Sequence, residues 1–260
     1  MQILFLSHGS PTFALEDHPV VRFWQQLPER IGTRPRAVLC VSAHWDTEAP
    51  TLSGDLDRPS IQHDFHGFPD ALYRLNWSVA GGVTEVAEVI DVLSDADLGV
   101  CRETARPFDH GVWVPLRAAW LKMEIPTLQL SLCTRRGSDW HWRLGQALAP
   151  LCDRGWLLVG SGGLVHNLGR LNWREPGAGP DPWAADFMNG FEAALRDEDS
   201  AAIRSPWTLP EGRSAVPTPE HYLPFVVCAG AAGGRQPQTW FAGWNYGCLG
   251  GHAYAWDRSS

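Results

Sequence analysis

The 260-residue sequence lacks the features that mark several specialised classes of protein. No stretch reaches about 18 consecutive apolar residues, and the N-terminus has no basic region followed by a cleavage site. The formal net charge is -8, and no cluster of lysine and arginine is interleaved with aromatic residues. These absences disfavour a membrane or a nucleic acid as partner, and we expect a soluble, cytoplasmic protein.

The cysteines do not form a recognisable metal or disulfide pattern. All six are widely scattered and none has CxxC spacing; they are Cys40, Cys101, Cys133, Cys152, Cys228 and Cys248. Structural zinc sites use closed Cys/His sets at short spacing, so this pattern argues against one. We expect the cysteines to be reduced residues of the core.

Short apolar runs alternate with longer amphipathic stretches, which is typical of a parallel sheet covered by helices. The predicted strands are 3–7, 37–43, 127–132 and 157–161. The predicted helices are 18–30, 83–94, 112–122, 139–152 and 183–196, the fourth with Ser138 as its N-cap. Loops are predicted at 54–70 and 175–182. The pattern indicates an α/β fold: a single domain over residues 1–260, with a mostly parallel or mixed central sheet and helices on both faces.

Three histidines fall where ligands bind in such sheets, beyond the carboxyl ends of the strands. His8 follows the first predicted strand, His44 closes the second, and His166 lies five residues after the fourth. His110 and His221 also stand in compact contexts, Asp-His-Gly and Glu-His-Tyr. Ligands drawn from distant loops are typical of a catalytic metal centre with an open position.

The other histidines are weaker candidates. His18, His141 and His252 are more readily explained as ordinary structural residues. His63 shares a glycine-containing loop with Asp64 and two phenylalanines, where loop packing and a functional role are equally good explanations.

Six ordered blocks of sequence resemble one family, the LigB-like (class III) extradiol ring-cleavage dioxygenases of the DOPA 4,5-dioxygenase type. The blocks are Ser7-His8-Gly9-Ser10-Pro11, Ser42-Ala43-His44-Trp45, His63-Asp64-Phe65 with Gly67-Phe68-Pro69, Asp109-His110-Gly111 with Trp113, Ser161-Gly162 with His166-Asn167-Leu168, and Glu220-His221-Tyr222-Leu223-Pro224. The resemblance spans nearly the whole chain. It implies an α/β domain, a metal site at one sheet edge, and oxygen-dependent cleavage of a catechol next to its hydroxyls to give a muconic semialdehyde.

The resemblance also implies roles for individual residues. His8, His44 and His221 would bind a catalytic Fe(II), with Glu220 as the alternative third ligand, and Zn(II) would fit the same site. His110 and His166 would transfer protons, and His166 could also bind the metal as a fourth ligand. His63 and Asp64 would meet the polar substituent of the substrate, while Phe65, Phe68 and either Trp45 or Trp113 would hold its ring.

Two other functions use the same residues. A zinc-dependent hydrolase would activate water at these histidines, and a non-enzymatic protein of the same fold would only bind a metal. The partners expected of a dioxygenase are a small aromatic diol and O2, and the sequence leaves the oligomeric state open.

Overall fold

The central strands show how alternating side chains build two hydrophobic cores. In the computed structural model, which describes residues 3–257, Ile3 and Phe5 pack into one core whereas Leu4 and Leu6 pack into the other. The same alternation occurs in the second and seventh strands, because successive side chains of a strand point to opposite faces. The sheet is therefore buried on both faces.

The described residues form a nine-stranded mixed sheet and a separate two-stranded one. The strands are β1 (Ile3–Ser7), β2 (Ala37–Asp46), β3 (Thr51–Ser53), β4 (Ser78–Gly81), β5 (Cys101–Arg102), β6 (Lys122–Leu132), β7 (Trp156–Gly162), β8 (Gln238–Phe241), β9 (Trp244–Asn245), β10 (Leu249–Gly250) and β11 (Ala253–Trp256). In the large sheet the strands follow the order β5-β3-β6-β2-β7-β1-β11-β8, and β4 pairs with β6. Parallel pairing joins β6, β2, β7 and β1 in the centre, and antiparallel pairs join β1 to β11 and β11 to β8.

Helices cover both faces of this sheet. The helices are α1 (Pro19–Gln25), α2 (Leu27–Ile31), α3 (Asp70–Tyr73), α4 (Val86–Asp95), α5 (His110–Ala119), α6 (Gly137–Asp153), α7 (Pro182–Arg196), α8 (Ser200–Arg204), α9 (Gly212–Ala215) and α10 (Leu223–Ala231). Apolar residues of α4, α6, α7 and α10 pack into one core, and those of α1, α2 and α5 pack into the other. This arrangement confirms the predicted α/β class with a mixed central sheet. Residues 1–2 and 258–260 of the predicted domain lie outside the described part.

Several predicted boundaries were wrong. Lys122, which was predicted to end a helix, is instead the first residue of β6. The helix α5 follows its N-cap Asp109 and already ends at Ala119. Ser138 does not cap α6: a 3-10 turn leads directly into the helix, which starts one residue earlier at Gly137. Over residues 3–257, no helix combines the length and the apolar character needed to span a bilayer.

The order of the central strands determines where a site forms. Because β2, β7 and β1 are adjacent and parallel, their carboxyl ends meet at one edge of the sheet. Of the other candidate histidines, His63 lies in the predicted loop 54–70 and His110 begins α5. His166 lies in the segment that follows β7, and His221 lies in the segment that precedes α10.

Candidate metal centre

Five histidines converge at this edge of the sheet, and we call them the histidine centre: His8, His44, His110, His166 and His221. His8 directly follows β1, His44 lies near the end of β2, and His110 is the first residue of α5. His166 follows β7, and His221 precedes α10. The ring centroids of His44 and His110 are 3.9 Å apart, and those of His8 and His221 are 5.4 Å apart.

A close approach between β7 and the start of α10 brings His221 into this group. A Cβ atom at Gly162 would lie 2.1 Å from the carbonyl oxygen of His221, so only glycine allows the two segments to meet. The neighbouring Gly163 N–H donates a hydrogen bond of 2.8 Å to that same oxygen.

A hydrogen-bond relay determines which nitrogen of His8 carries its proton. The Ser161 hydroxyl donates to the carbonyl oxygen of Gly111 at 2.5 Å, so it can only accept from His8. The His8 Nδ1–H therefore donates to Ser161 Oγ at 2.9 Å, and Nε2 carries the lone pair. Metal-binding histidines are normally oriented by such a second hydrogen bond.

Glu220 determines the tautomer of His221 in the same way. The His221 Nδ1–H donates to Glu220 Oε1 at 3.2 Å, and the Thr218 hydroxyl donates to the same oxygen at 2.7 Å. Burial alone would raise the pKa of Glu220, but these hydrogen bonds outweigh it and lower the pKa to about 2. The opposite nitrogen, His221 Nε2, is buried without a hydrogen-bond partner among the described residues. A buried lone pair without a donor is the feature that a metal ion would satisfy.

His8, His44 and His221 form one candidate ligand set, with a nitrogen from each within 4.8 Å of the others. The Nε2 atoms of His8 and His44 are 2.9 Å apart. Two imidazole nitrogens that bind one ion at ~2.0–2.1 Å with a right angle between them would be about 2.9 Å apart. Burial lowers the pKa of all three, and neighbouring imidazoles lower the pKa of His8 and His44 further. The three rings are thus neutral near pH 7 and fit a divalent metal.

His110 is held from behind by the loop that precedes it in the sequence. Asp64 accepts hydrogen bonds of 3.0 Å from both the backbone N–H and Nδ1 of His110. Burial opposes ionisation of Asp64, yet the hydrogen bonds from His110 outweigh it and lower the pKa of the carboxyl. In the neutral ring, Nδ1–H donates to Asp64 and Nε2 carries the lone pair on the side away from Asp64.

A second carboxyl lies beneath α5. Asp109 caps the helix by accepting from Val112 N, and it accepts further hydrogen bonds from the Ser42 hydroxyl and the Gln129 amide. Burial raises the pKa of Asp109. Ser42 also lies two residues before His44, so this network joins the helix that carries His110 to the strand that carries His44.

His166 lies face to face with His221. Their ring centroids are 3.5 Å apart and their planes differ by 7°. Burial, and then the neighbouring His221 ring, lower the pKa of His166 to about 3. Potential metal-ligand atoms of His166, Glu220 and His221 also lie close together. Among the described residues, no such set of ligand atoms includes a cysteine.

A cavity of about 460 Å³ opens onto the histidine centre. Phe65 and Phe68 line it, whereas His63 and Asp64 are outside its lining. Trp113 is buried beside His63 and Phe65, and Trp45 lies under the guanidinium of Arg106 at 4.6 Å. Neither tryptophan lines the cavity, so the predicted aromatic wall is formed by the two phenylalanines.

No sequence pattern indicated the outer part of the lining, which we call the cavity rim. It consists of Glu16, Leu168, Leu171, Trp173, Tyr246 and Leu249. These residues come from three separate segments that share no helix or strand, so no hydrophobic periodicity indicated them. The signal that could have indicated the rim is Trp173, a tryptophan shortly before the predicted Pro/Gly-rich loop 175–182.

Comparison with protein families gives a match over nearly the whole chain. Residues 2–255 match the family described as the catalytic LigB subunit of aromatic ring-opening dioxygenase. The matched range includes all five residues of the histidine centre.

Individual relatives agree with this match. The 4,5-DOPA dioxygenase extradiol of Escherichia coli (strain K12) is 36% identical, covering 92% of this chain and 88% of its own. The protein of the same name from Beta vulgaris is also 36% identical, covering 89% of this chain and 87% of its own. The crystal structure of an uncharacterized protein from Escherichia coli K12 has a TM-score of 0.81 at 31% identity, covering 97% and 98% of the two chains.

Proposed function

Because the chain belongs to the LigB family of aromatic ring-opening dioxygenases, we propose that it opens a catechol ring next to its two hydroxyls, with O2 as co-substrate. We propose further that one metal ion acts in this reaction, held by His8, His44 and His221, and that residues 1–260 work as one domain. The observation that carries the metal site is the convergence of three neutral imidazoles, two of which have their Nδ1–H groups bound from behind.

The donor set limits the choice of metal. Imidazole nitrogens suit iron and zinc alike, and Glu220 is engaged with Nδ1 of His221 in the structure. We therefore assign His221 as the third ligand and Glu220 as the residue that orients it. We propose Fe(II) as the catalytic metal, with Zn(II) as an ion that the same site accepts.

Bound Fe(II) would supply open positions for both catechol oxygens and for O2, and a route for electron density from the ring to oxygen. The protein supplies the proton transfers. His110 Nε2, whose lone pair is fixed by the Asp64 hydrogen bond, accepts a phenolic proton and later returns it. His166 is neutral and stacked on His221, so it can serve as the second proton carrier or, before substrate binds, as a fourth ligand.

The rest of the cavity holds the ring and restricts water. Phe65 and Phe68 form a wall next to the histidine centre, and their ring centroids are 5.4 Å apart in an edge-to-face contact. Because Asp64 precedes Phe65, the hydrogen bonds to His110 also fix the position of this wall. We propose that Asp64 acts through His110, by holding this imidazole and the neighbouring Phe65 in place. A direct contact of His63 with the substrate stays a prediction. The cytoplasmic location also stays a prediction.

An oxygen-electrode assay tests the proposal. Protein loaded anaerobically with Fe(II) is mixed with a panel of catechols and then exposed to air, and its metal content is measured on the same sample. We expect O2 uptake together with a new visible absorbance from the ring-opened semialdehyde. A protein with full iron content that consumes no O2 with any catechol would contradict the proposal, and O2-independent hydrolysis by the zinc form would favour the hydrolase.

A further inference from the structure

The cavity rim carries a negative charge, whereas a substrate that ends in a carboxylate would require a positive one. Of the described residues that line the cavity, Glu16 is the one with a formally charged side chain outside the histidine centre. It is exposed and forms no ion pair among residues 3–257. A substrate side chain that leaves the histidine centre toward the rim therefore meets a carboxylate and no ammonium or guanidinium group.

The arginines that neighbour the rim in sequence do not line the cavity. The guanidinium of Arg170, between Leu168 and Leu171, lies 4.5 Å above the ring of Trp183. Arg22 Nε donates to Asp17, the neighbour of Glu16, at 2.6 Å. Arg174 follows Trp173 in the chain but does not line the cavity. A carboxylate placed at the rim would thus find no cationic side chain in the lining to pair with.

The apolar part of the rim favours the opposite charge. Trp173 and Tyr246 form an aromatic pair with ring centroids 5.4 Å apart, and the side chain of Trp173 is 71% exposed. The faces of tryptophan and tyrosine attract cations, whereas they offer nothing to a carboxylate. Leu168, Leu171 and Leu249 extend the surface with groups that would pack against methylenes.

We propose that this site selects catechols whose side chain is neutral or positively charged, of the arylethylamine type, over catechols that end in a carboxylate. Glu16 is the residue that determines this preference, together with the Trp173–Tyr246 pair. The inference rests on the proposed function, because it takes the histidine centre as the place where the two hydroxyls bind. A zwitterionic side chain such as that of DOPA would fall between the two classes.

Matched catechols test this preference. The panel is 4-(2-aminoethyl)catechol, 4-propylcatechol, DOPA and 3-(3,4-dihydroxyphenyl)propionate, each assayed for kcat/KM with the iron-loaded protein. We expect the amine to exceed the propionate roughly tenfold at low salt, with a smaller ratio at high salt because exposed charges are screened. Glu16→Gln should reduce this ratio about threefold to fivefold. Glu29→Gln, which removes an exposed carboxylate of α2 outside the cavity, should leave the ratio unchanged.

A binding measurement separates this inference from the proposed function. Dissociation constants for the same four compounds are measured anaerobically on the metal-loaded protein from quenching of tryptophan fluorescence. If no catechol is turned over, the ring-cleavage proposal fails, and the order of affinities still decides the charge preference. The charge preference is overturned if the propionate binds and reacts as well as the amine, or if Glu16→Gln leaves the ratio of the two unchanged.

Discussion

The histidine centre and the cavity rim are two parts of one cavity that are held in different ways. At the centre, His8, His110 and His221 each donate a hydrogen bond from Nδ1 to a defined acceptor. At the rim, Leu168 and Trp173 are more than half exposed. The difference indicates that the chemistry depends on fixed imidazoles, whereas the choice of substrate depends on a surface that few contacts constrain.

The largest expected effect is the loss of metal after removal of a ligand at the centre. His44→Ala leaves two imidazoles from the set of His8, His44 and His221, and we expect metal retention after gel filtration to be abolished. The measurement is metal content per chain by elemental analysis. His66→Ala, an exposed histidine in the loop at 54–70, is the matched control and should keep full occupancy. Equal metal in the His44→Ala variant and the wild type would remove His44 from the centre.

A smaller effect is expected when the support behind a fixed imidazole is changed. Asp64→Asn keeps the shape but can place an N–H against Nδ1 of His110, which moves the ring proton to Nε2. We expect kcat to fall roughly 10- to 100-fold with unchanged metal content, less than the ~10²- to 10⁴-fold loss after His110→Ala.

The pH dependence of kcat distinguishes this role of Asp64 from a purely structural one, since a changed tautomer alters the acidic limb of the profile as well as the rate. Asp70→Asn, at the exposed start of α3, is the control. An Asp64→Asn variant with the wild-type kcat and profile would show that His110 does not need this hydrogen bond.

The neutral imidazoles also predict how stability depends on pH. Burial, then the His221 ring, lower the pKa of His166 to about 3, so below ~6.5 the unfolded chain binds a proton that the folded protein does not. Its contribution to stability is therefore present above about pH 6.5 and is lost as the pH falls toward 3. When the pH is lowered from 7.5 to 5.5, the free energy of unfolding of the metal-free protein should fall in both the wild type and His166→Asn. The fall should be about 1 kcal/mol smaller in His166→Asn, because this variant lacks the imidazole of residue 166. Denaturant titrations at both pH values measure this; equal losses in the two proteins would contradict it.

The smallest effect is expected at the rim. Trp173→Ala removes an apolar surface that covers the substrate side chain, and KM for 4-propylcatechol should rise about threefold to fivefold, more than kcat falls. Leu121→Ala, which removes another exposed apolar side chain that is not part of the lining, is the control. A Trp173→Ala variant that loses kcat as severely as Asp64→Asn would break the distinction between the two regions.

The sequence predicted those parts of the site that depend on strand order. His8 and His44 were identified as candidates because each follows an apolar run that could be read as a strand, and β1, β7 and β2 are indeed adjacent. His110 and His221 were recognised by their local motifs, and their roles came from the family resemblance. The family match over residues 2–255 confirms that resemblance.

The parts that could not be predicted depend on contacts between distant segments. The hydrogen bond from His110 to Asp64 joins residues 46 positions apart, and the one from His8 to Ser161 joins residues 153 apart. The Ser138 cap failed for a local reason, since the preceding 3-10 turn already supplied the helical backbone. Rim residues such as Trp173 and Tyr246 come into contact only in the folded protein, so no local sequence pattern predicts this contact.

Isotope labelling tests the central claim most directly, that the histidine centre supports oxygen-dependent ring opening. Iron-loaded protein is given a catechol under ¹⁸O2, and the ring-opened product is analysed promptly by mass spectrometry. Extradiol cleavage should place oxygen from O2 in the new carboxylate of the product, and His44→Ala should give no labelled product. A ring-opened product without label, or one formed equally well without O2, would contradict the dioxygenase assignment.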